Sequence, residues 1–250
     1  MRALITGASS GLGRDMAREL ARRGYDLVLV ARRKERLRLL AAELPVHTEI
    51  IQADLTDAQA VFDLYHRARG DDLAVIVNCA GFGLFGPFDK TDLDAELRML
   101  DVNCRAVHIL TKLFLRDFKA RNQGYILNVA SSASFMAGPL MATYYATKNY
   151  VLRLTQAIRE ELRQEGSAVK VCALCPGPVH TEFNQVAQVR FTIPGLDSRR
   201  VAAYAIAGLL RGRGVLVPGM QMKAVLALRH LMPEALVTRV AYHIQHRKNG

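Results

Sequence analysis

Cysteines and long apolar runs are both scarce in this 250-residue chain. The four cysteines, Cys79, Cys104, Cys172 and Cys175, do not indicate a disulfide framework in a chain of this length. A membrane-spanning helix needs roughly 18 or more apolar residues in a row, and no run here approaches that length. A glycine-rich turn that begins at Thr6 leaves no room for a signal peptide, so we expect a cytoplasmic protein.

Clusters of metal ligands are scarce as well. Cys172 and Cys175 lie three apart in a strand-like segment, and residues three apart on a strand point to opposite faces. No second pair of cysteines or histidines stands at zinc-ligand spacing from them. His243 and His246 have no carboxylate beside them. We therefore predict no metal site.

Acidic residues are scarce near the carboxyl end. The net charge is +11, and residues 211–250 hold +6 of it, because seven arginines and lysines are offset there by Glu234 alone. Nucleic acid, anionic lipid or an acidic substrate could bind such charge, although a solvated basic surface is the plainer interpretation. No basic strand interleaved with aromatics and no groove-reading helix is recognisable, so nucleic acid is not an expected partner. Two amphipathic stretches, 220–231 and 233–247, could cover a substrate pocket, pack against a second subunit or contact a membrane surface peripherally.

The chain does contain a regular alternation of apolar strands and amphipathic helices. Half of its residues are hydrophobic, and its length suits one large α/β domain. The first strand, residues 2–6, leads into a glycine turn, a helix and a second strand, which is a βαβ opening. We predict an α/β fold, a Rossmann-type doubly wound parallel sheet of about seven strands. Residues 1–218 would form its dinucleotide-binding and catalytic part, and residues 219–250 a helical extension of the same domain.

The glycine turn has the spacing G-x-x-x-G-x-G. Glycines allow the backbone to approach a pyrophosphate, and the first amides of the following helix face the anion. The candidate cofactor-binding residues of this turn are Gly7, Ser9, Ser10, Gly11, Leu12 and Gly13.

The residues after the second strand favour NADP over NAD. Enzymes selective for NAD place an Asp or Glu here to bind the ribose hydroxyls. This chain has Ala31 followed by Arg32, and a guanidinium suits a phosphate. We therefore predict NADP(H) as the cofactor, bound through Arg32, with Arg33 or Arg14 assisting. The alternative is that the basic cluster only begins a helix, 32–44.

A serine, a tyrosine and a lysine indicate acid–base chemistry. Ser131 follows a buried strand, and Tyr144 and Lys148, four apart, fall on one face of the next helix. A neighbouring cation lowers the pKa of a phenol below its usual value of about 10, so Tyr144 could exchange a proton with a carbonyl or alcohol oxygen. Ser131 could hold that oxygen by a hydrogen bond. The alternative is a surface helix in which this spacing arises by chance.

Together with the run 78–81 (N-C-A-G), Asn103 and the run 176–181 (P-G-P-V-H-T), these motifs resemble the short-chain dehydrogenase/reductase family over almost the whole chain. The resemblance is to NADP-preferring bacterial members, and Cys79 is a modest departure from the family's N-N-A-G. It implies that Lys148 lowers the pKa of the tyrosine and binds the nicotinamide ribose. It also implies that the unwound backbone at Asn103 binds a water of the proton relay. The implied catalytic set is Asn103, Ser131, Tyr144 and Lys148.

The resemblance assigns the rest of the cofactor site. Asp54 would contact the edge of the adenine ring, unless it only caps the helix that begins at Ala58. The backbone at Val179 and the hydroxyl of Thr181 would hold the nicotinamide carboxamide, and His180 has no role in the family's mechanism. Beyond the glycine turn and Arg32, the implied cofactor residues are Asp54, Asn78, Ala80, Gly81, Tyr144, Lys148, Pro176, Gly177, Val179 and Thr181.

The implied function is NADP(H)-dependent interconversion of a carbonyl and a secondary alcohol. Apolar residues in the loop 82–88 and in the irregular segment 182–200, interpreted as a substrate lid, favour an apolar, lipid-like ketone or a 3-ketoacyl substrate. The family commonly forms a homodimer or homotetramer through the helices that span 91–121 and 143–165 here. Two alternatives stay open: a non-catalytic NADP(H)-binding sensor, and a basic protein associated with membrane or RNA. The apolar residues of the lid are Phe183, Val186, Val189, Phe191 and Ile193.

Overall fold

A computed structural model of the chain describes residues 1–183, 187, 195–229 and 232–246. It contains a seven-stranded sheet of order β3-β2-β1-β4-β5-β6-β7, in which every neighbouring pair is parallel. The predicted Rossmann-type sheet is therefore confirmed. The strands are β1 Arg2–Thr6, β2 Asp26–Ala31, β3 Thr48–Gln52, β4 Leu73–Asn78, β5 Tyr125–Val129, β6 Lys170–Leu174 and β7 Val215–Leu216.

Helices cover both faces of the sheet. In the described ranges, no helix is both long enough and apolar enough to cross a membrane. The predicted lid residues Val186, Val189, Phe191 and Ile193, and positions 231 and 247 of the amphipathic stretches, lie outside the described residues. The helices are α1 Gly11–Arg22, α2 Lys34–Ala42, α3 Ala58–Ala68, α4 Leu93–Leu100, α5 Val107–Ala120, α6 Ala142–Gln164, α7 Ser198–Leu210, α8 Met220–Arg229 and α9 Glu234–His246.

The strands are buried because successive residues pack into different cores on the two faces of the sheet. Val28 and Val30 of β2 belong to the core on one face, and Leu29 between them belongs to the core on the other. Such strands are continuous apolar runs, as expected for a parallel sheet with helices on both sides. The order of the strands reverses between β1 and β4. In sheets of this kind, ligands bind in the crevice at the carboxyl ends of the strands beside that point.

The long helical region predicted around Asn103 is present, but it is not a regular α-helix. A π-helical segment, Asp101–Ala106, separates α4 from α5, and Asn103 lies inside it, fully buried. Such wide turns are rare and often lie at functional sites. The irregular backbone that the resemblance implied at Asn103 is thus provided by a local widening of the helix.

Candidate active site

A cavity of about 600 Å³ opens at the carboxyl ends of the central strands. It brings together predicted site residues that are up to 174 positions apart in the chain, and only Asn78 and Asn103 of the predicted set are not part of its wall. The predicted residues that line it are Gly7, Ser9, Ser10, Gly11, Leu12, Gly13, Arg32, Asp54, Ala80, Gly81, Ser131, Tyr144, Lys148, Pro176, Gly177, Val179 and Thr181.

The glycine turn forms a bare backbone cradle at one end of the cavity. Gly7 has a φ of +69°, and a Cβ there would lie 2.9 Å from the backbone of Ala80. A Cβ on Gly13 would lie 2.3 Å from the carbonyl oxygen of Gly7. Neither position can carry a side chain unless the backbone moves. The Ser10 side chain does not cap the first amides of α1, so these amides suit an anion such as a pyrophosphate.

The carboxyl ends of β1 and β4 are tied together beside this cradle. Thr6 Oγ1 accepts hydrogen bonds from the N–H groups of Cys79 at 3.0 Å and Ala80 at 3.1 Å. Asn78 points the other way, because its Nδ2 donates to Asn128 Oδ1 at 2.8 Å. The Asn78 side chain therefore links β4 to β5 in the buried interior, and it does not reach the cavity where the sequence-based assignment put it.

Ser131, Tyr144 and Lys148 meet in the wall of the cavity. Ser131 follows β5 and its Oγ accepts from the N–H of Ala133 at 3.1 Å, which caps the 3-10 turn before α6. The Ser131 hydroxyl also lies beside the Tyr144 phenol, whose pKa it lowers. Lys148 Nζ donates to the Val129 carbonyl at 2.9 Å and lies 5.9 Å from the centre of the Tyr144 ring. The strand–turn–helix arrangement predicted from the sequence thus places all three side chains at one point.

The electrostatics of this group differ from the sequence-based expectation. Burial raises the pKa of the Tyr144 phenol to about 12, while the neighbouring Ser131 hydroxyl lowers that pKa and the nearby Tyr145 raises it further. Burial also lowers the pKa of the Lys148 ammonium. The expectation that Lys148 lowers the tyrosine pKa below its usual value is therefore wrong for this structure, because removal from water dominates. Tyr144 is protonated at neutral pH and can act as a proton donor.

Asn103 supports the site through its side chain. Its Oδ1 accepts from the Phe82 N–H at 3.1 Å, and its Nδ2 donates to the Phe82 carbonyl at 2.9 Å. The same Nδ2 donates to Thr147 Oγ1 at 3.1 Å. Asn103 thus links the loop after β4 to α6, the helix that contains Tyr144 and Lys148. A Cβ on Gly81 would lie 2.8 Å from Asn103 Oδ1 and 3.3 Å from Lys148 Nζ, so this glycine permits the close approach.

The basic rim beside the glycine turn is built around Arg33. Its guanidinium donates to Ser9 Oγ at 3.1 Å, to Ser10 Oγ at 2.8 Å and to Glu182 at 3.0 Å. Arg36 binds the same carboxylate at 2.6 Å. These two guanidinium groups lower the pKa of Glu182, so it is ionised at neutral pH. Sequence reasoning missed Glu182 because its partner Arg33 is 149 positions away.

Arg32 is the basic residue of this rim that remains open to a ligand. It lines the cavity, and its side chain makes no hydrogen bond with any residue that the structure describes. Arg14 instead contacts the carboxylate of Asp15 at 3.3 Å. Asp54 also lines the cavity. The cap of α3 is Asp57, which accepts from the Gln59 N–H, so the alternative role of Asp54 as that cap is wrong.

The opposite half of the cavity is apolar, and sequence reasoning identified little of it. Tyr145 packs edge-on to Tyr144, with ring centres 6.1 Å apart, and Phe183 lies 5.4 Å from Tyr144. The carboxy-terminal helices α8 and α9 close this half, and Gln245 Nε2 donates to the Tyr145 hydroxyl at 2.9 Å. The periodicity of the two amphipathic stretches predicted helices with an apolar face. It could not show which face of each helix lines the cavity. The lining residues missed here are Met141, Tyr145, Met222, Val225, Ala241, Ile244 and Gln245.

Comparisons with known proteins agree with this geometry. The family profile described as short chain dehydrogenase matches residues 1–189. A very-long-chain 3-oxoacyl-CoA reductase of Anas platyrhynchos is 32% identical over 219 residues, which is 83% of this chain and 69% of that protein. A short-chain dehydrogenase from Sphingobium yanoikuyae, solved with NADPH, superposes with a TM-score of 0.82 at 33% identity, covering 92% of this chain and 93% of that one.

The bulky-bulky ketone specific alcohol dehydrogenase from Comamonas testosteroni superposes with a TM-score of 0.78 at 32% identity, over 94% of this chain and 95% of that one. Its similarity therefore extends past the residues that the family profile matches and into the carboxy-terminal helices. The glycine cradle, the Ser131–Tyr144–Lys148 group and these matches lead to one conclusion. The chain is an oxidoreductase acting on CH–OH groups and belongs to the short-chain dehydrogenase family.

Proposed function

We propose that the chain reduces an apolar, lipid-like ketone or 3-ketoacyl compound with NADPH and can run the reverse oxidation. The observation that carries this proposal is that Ser131 and Tyr144 line one cavity together, between an apolar half and a glycine cradle. A carbonyl oxygen between the two hydroxyl groups would have one hydrogen-bond donor to hold it and one to protonate it.

The residues on the cofactor side fit a dinucleotide with an additional phosphate. The cradle that a Cβ would fill suits a pyrophosphate, and the open guanidinium of Arg32 suits a 2′-phosphate. No carboxylate follows β2, where NAD-selective enzymes have one. Thr181 and the backbone at Val179 would hold the nicotinamide carboxamide. The NADPH in the Sphingobium relative supports the same cofactor for this chain.

NADPH, when bound, supplies the hydride that reduces the carbonyl carbon. Ser131 donates a hydrogen bond to the carbonyl oxygen and so stabilises the negative charge that develops there. Tyr144, protonated because burial raises its pKa to about 12, transfers its proton to that oxygen. Lys148 binds the nicotinamide ribose and places a cation beside the phenolate that remains. The side chain of Asn103 holds the loop at Phe82 against α6. The backbone of the π-helical segment at Asn103 would bind the water of the proton relay.

The substrate class follows from the apolar half of the cavity. Its side chains include Met141, Phe183, Met222 and Ile244, which suit a hydrocarbon and leave few polar groups to bind a hydrophilic substrate. Two relatives have names that point the same way, one a very-long-chain 3-oxoacyl-CoA reductase and the other a bulky-bulky ketone specific dehydrogenase. We also propose a homodimer or homotetramer formed through α5 and α6, and a cytoplasmic location.

The proposal is tested by fluorescence titration with NADPH and NADH, followed by NADPH oxidation with aliphatic, aromatic and acyl ketones. We expect NADPH to bind more tightly than NADH and bulky apolar ketones to be turned over fastest. Preference for NADH would overturn the assignment of Arg32. Tight NADPH binding without turnover of any ketone would favour the sensor, which has no need of the Ser131, Tyr144 and Lys148 group.

A further inference from the structure

The carboxy-terminal helices leave a patch of apolar side chains in contact with solvent. Val225 and Leu228 of α8 and Leu236, Val240 and Ile244 of α9 are each between 42% and 60% exposed. We call these five residues the lip. The surfaces of soluble proteins contain scattered apolar residues, but several exposed apolar residues on two successive helices can mark an interaction site.

The lip on α9 has the geometry of a helix that lies along an interface. Leu236, Val240 and Ile244 are spaced by four residues, so they form one stripe along the helix. Arg239 and His243, also four apart and exposed, form the neighbouring stripe. The helix therefore presents apolar and basic stripes side by side to solvent, while a third face packs against the protein. Helices of this kind bind in the headgroup region of anionic bilayers.

Two residues of the lip also belong to the wall of the substrate cavity. Val225 and Ile244 line the cavity wall and are at the same time 47% exposed. Gln245, the next residue, is buried and bonded to Tyr145 beside the catalytic tyrosine. One face of α9 therefore lies near the reacting centre while the adjoining face meets solvent. A surface bound at the lip would therefore lie next to the cavity wall at Val225 and Ile244.

The charge around the lip favours an anionic surface over a second copy of the chain. The basic residues of α8 and α9 are Lys223, Arg229 and Arg239, and Glu234, the one acid of these helices, is paired with Arg229 at 2.6 Å. In a symmetric dimer through the lip, this positive region would face itself, which costs association energy. A nucleic acid would satisfy the charge, but it would leave the apolar stripe without a partner. An anionic bilayer satisfies both.

We propose that the lip docks on an anionic lipid bilayer, so that an apolar ketone enters the cavity from the membrane surface. The docking stands on the lip and its charge alone, and the delivery of substrate rests on the proposed function. The lip would insert its apolar stripe between the headgroups while Arg239 and its basic neighbours contact lipid phosphates. No covalent step and no additional cofactor is involved.

The absence of tryptophan from the chain allows a clean reporter. Val240→Trp places one tryptophan in the lip, and Leu39→Trp places one on α2, where Leu39 is 68% exposed and far in sequence from the lip. Each variant is mixed with vesicles of phosphatidylcholine alone or of phosphatidylcholine with phosphatidylglycerol. We expect a blue-shifted emission and quenching by brominated acyl chains only for Val240→Trp and only with the anionic vesicles.

Sedimentation with the same vesicles measures affinity in the chain with its native lip. We expect binding to anionic vesicles to fall about tenfold in Arg239→Glu and in Leu236→Asp, since each basic or apolar contact contributes a comparable part of the affinity. Arg38→Glu and Leu39→Asp make the same chemical changes on α2 and should bind as the unaltered chain does. NADPH titration of each variant confirms that it is folded.

The proposal is overturned if the unaltered chain binds neither kind of vesicle, or binds both equally. It is also overturned if Val240→Trp emission shifts with protein concentration in the absence of lipid, because a second copy would then cover the lip. Turnover of a water-soluble ketone separates this test from that of the proposed function. Lip variants that lose vesicle binding but keep this turnover support the docking. A chain that binds vesicles but reduces no ketone would retain the docking and lose the proposed function.

Discussion

Replacement of Asn103 by leucine tests how much the site depends on one buried amide. Asn103 is fully buried, and leucine has a similar volume, so the change removes polar groups with little change in packing. Three hydrogen bonds are lost, two to the backbone of Phe82 and one to the Thr147 hydroxyl. The Phe82 N–H and carbonyl are left without their partner at the edge of the cavity.

The expected cost follows from these bonds. Each is worth on the order of 1 kcal/mol net, so the free energy of unfolding should fall by about 3 kcal/mol. For a chain of this length, that corresponds to a Tm lower by roughly 6–12 °C. Because Asn103 also positions the loop that contains Gly81 and Phe82, NADPH affinity should fall as well.

Urea unfolding and NADPH titration measure the two effects. Thr155→Val is the control, because Thr155, on α6, is similarly buried but accepts from Asn128 Nδ2 and donates to the Val151 carbonyl, away from the cavity. It should lose about 2 kcal/mol of stability, one for each of its two bonds, and keep its NADPH affinity. If Asn103→Leu loses less than about 1 kcal/mol, the three bonds do not have the role assigned to them. Unchanged NADPH affinity in an otherwise destabilised variant would show that the loop does not depend on Asn103.

Two further predictions concern charge at the two ends of the cavity. Glu182→Gln should tighten NADPH binding about two- to fivefold and leave NADH binding unchanged, because the carboxylate competes with a 2′-phosphate for Arg33. Glu35→Gln, on α2 but outside the cavity, should change the binding of neither cofactor. Weaker NADPH binding by Glu182→Gln would refute the competition. Alcohol oxidation requires the Tyr144 phenolate, and burial raises the pKa of Tyr144 to about 12. The rate of alcohol oxidation should therefore rise about tenfold per pH unit from pH 7 to pH 9. A rate that levels off below pH 8 would show that the pKa of Tyr144 is lowered in the working enzyme.

Local patterns were enough to predict the sheet and most of the site. The βαβ opening, the glycine spacing and the Tyr144–Lys148 interval each depend on neighbours within one strand–turn–helix unit. The carboxyl ends of parallel strands then bring these units to one edge of the sheet. Asn78 shows where an available signal was missed. Alternation along β4 puts it on the same face as Ile76, away from Val77, and that face packs against α5.

The remaining features depend on tertiary contacts that no local pattern encodes. The pKa of Tyr144 is set by how completely distant side chains such as Phe183 exclude water from it. Glu182 meets Arg33 across 149 positions, and Gln245 meets Tyr145 across 100. The amphipathic pattern of α9 predicted a buried face and an exposed face. Only the structure shows that the buried face closes the cavity.

The most direct test of the central claim compares two tyrosines of α6. Tyr144→Phe removes the proposed proton donor, while Tyr150→Phe removes a half-exposed hydroxyl that bonds to His108 outside the cavity. With NADPH and a reducible ketone, Tyr144→Phe should lose at least about a hundredfold in kcat, since general acid catalysis contributes that much or more. NADPH affinity should stay the same, and Tyr150→Phe should behave as the unaltered chain. If Tyr144→Phe keeps more than about a tenth of the activity, Tyr144 is not the proton donor and the mechanism is contradicted.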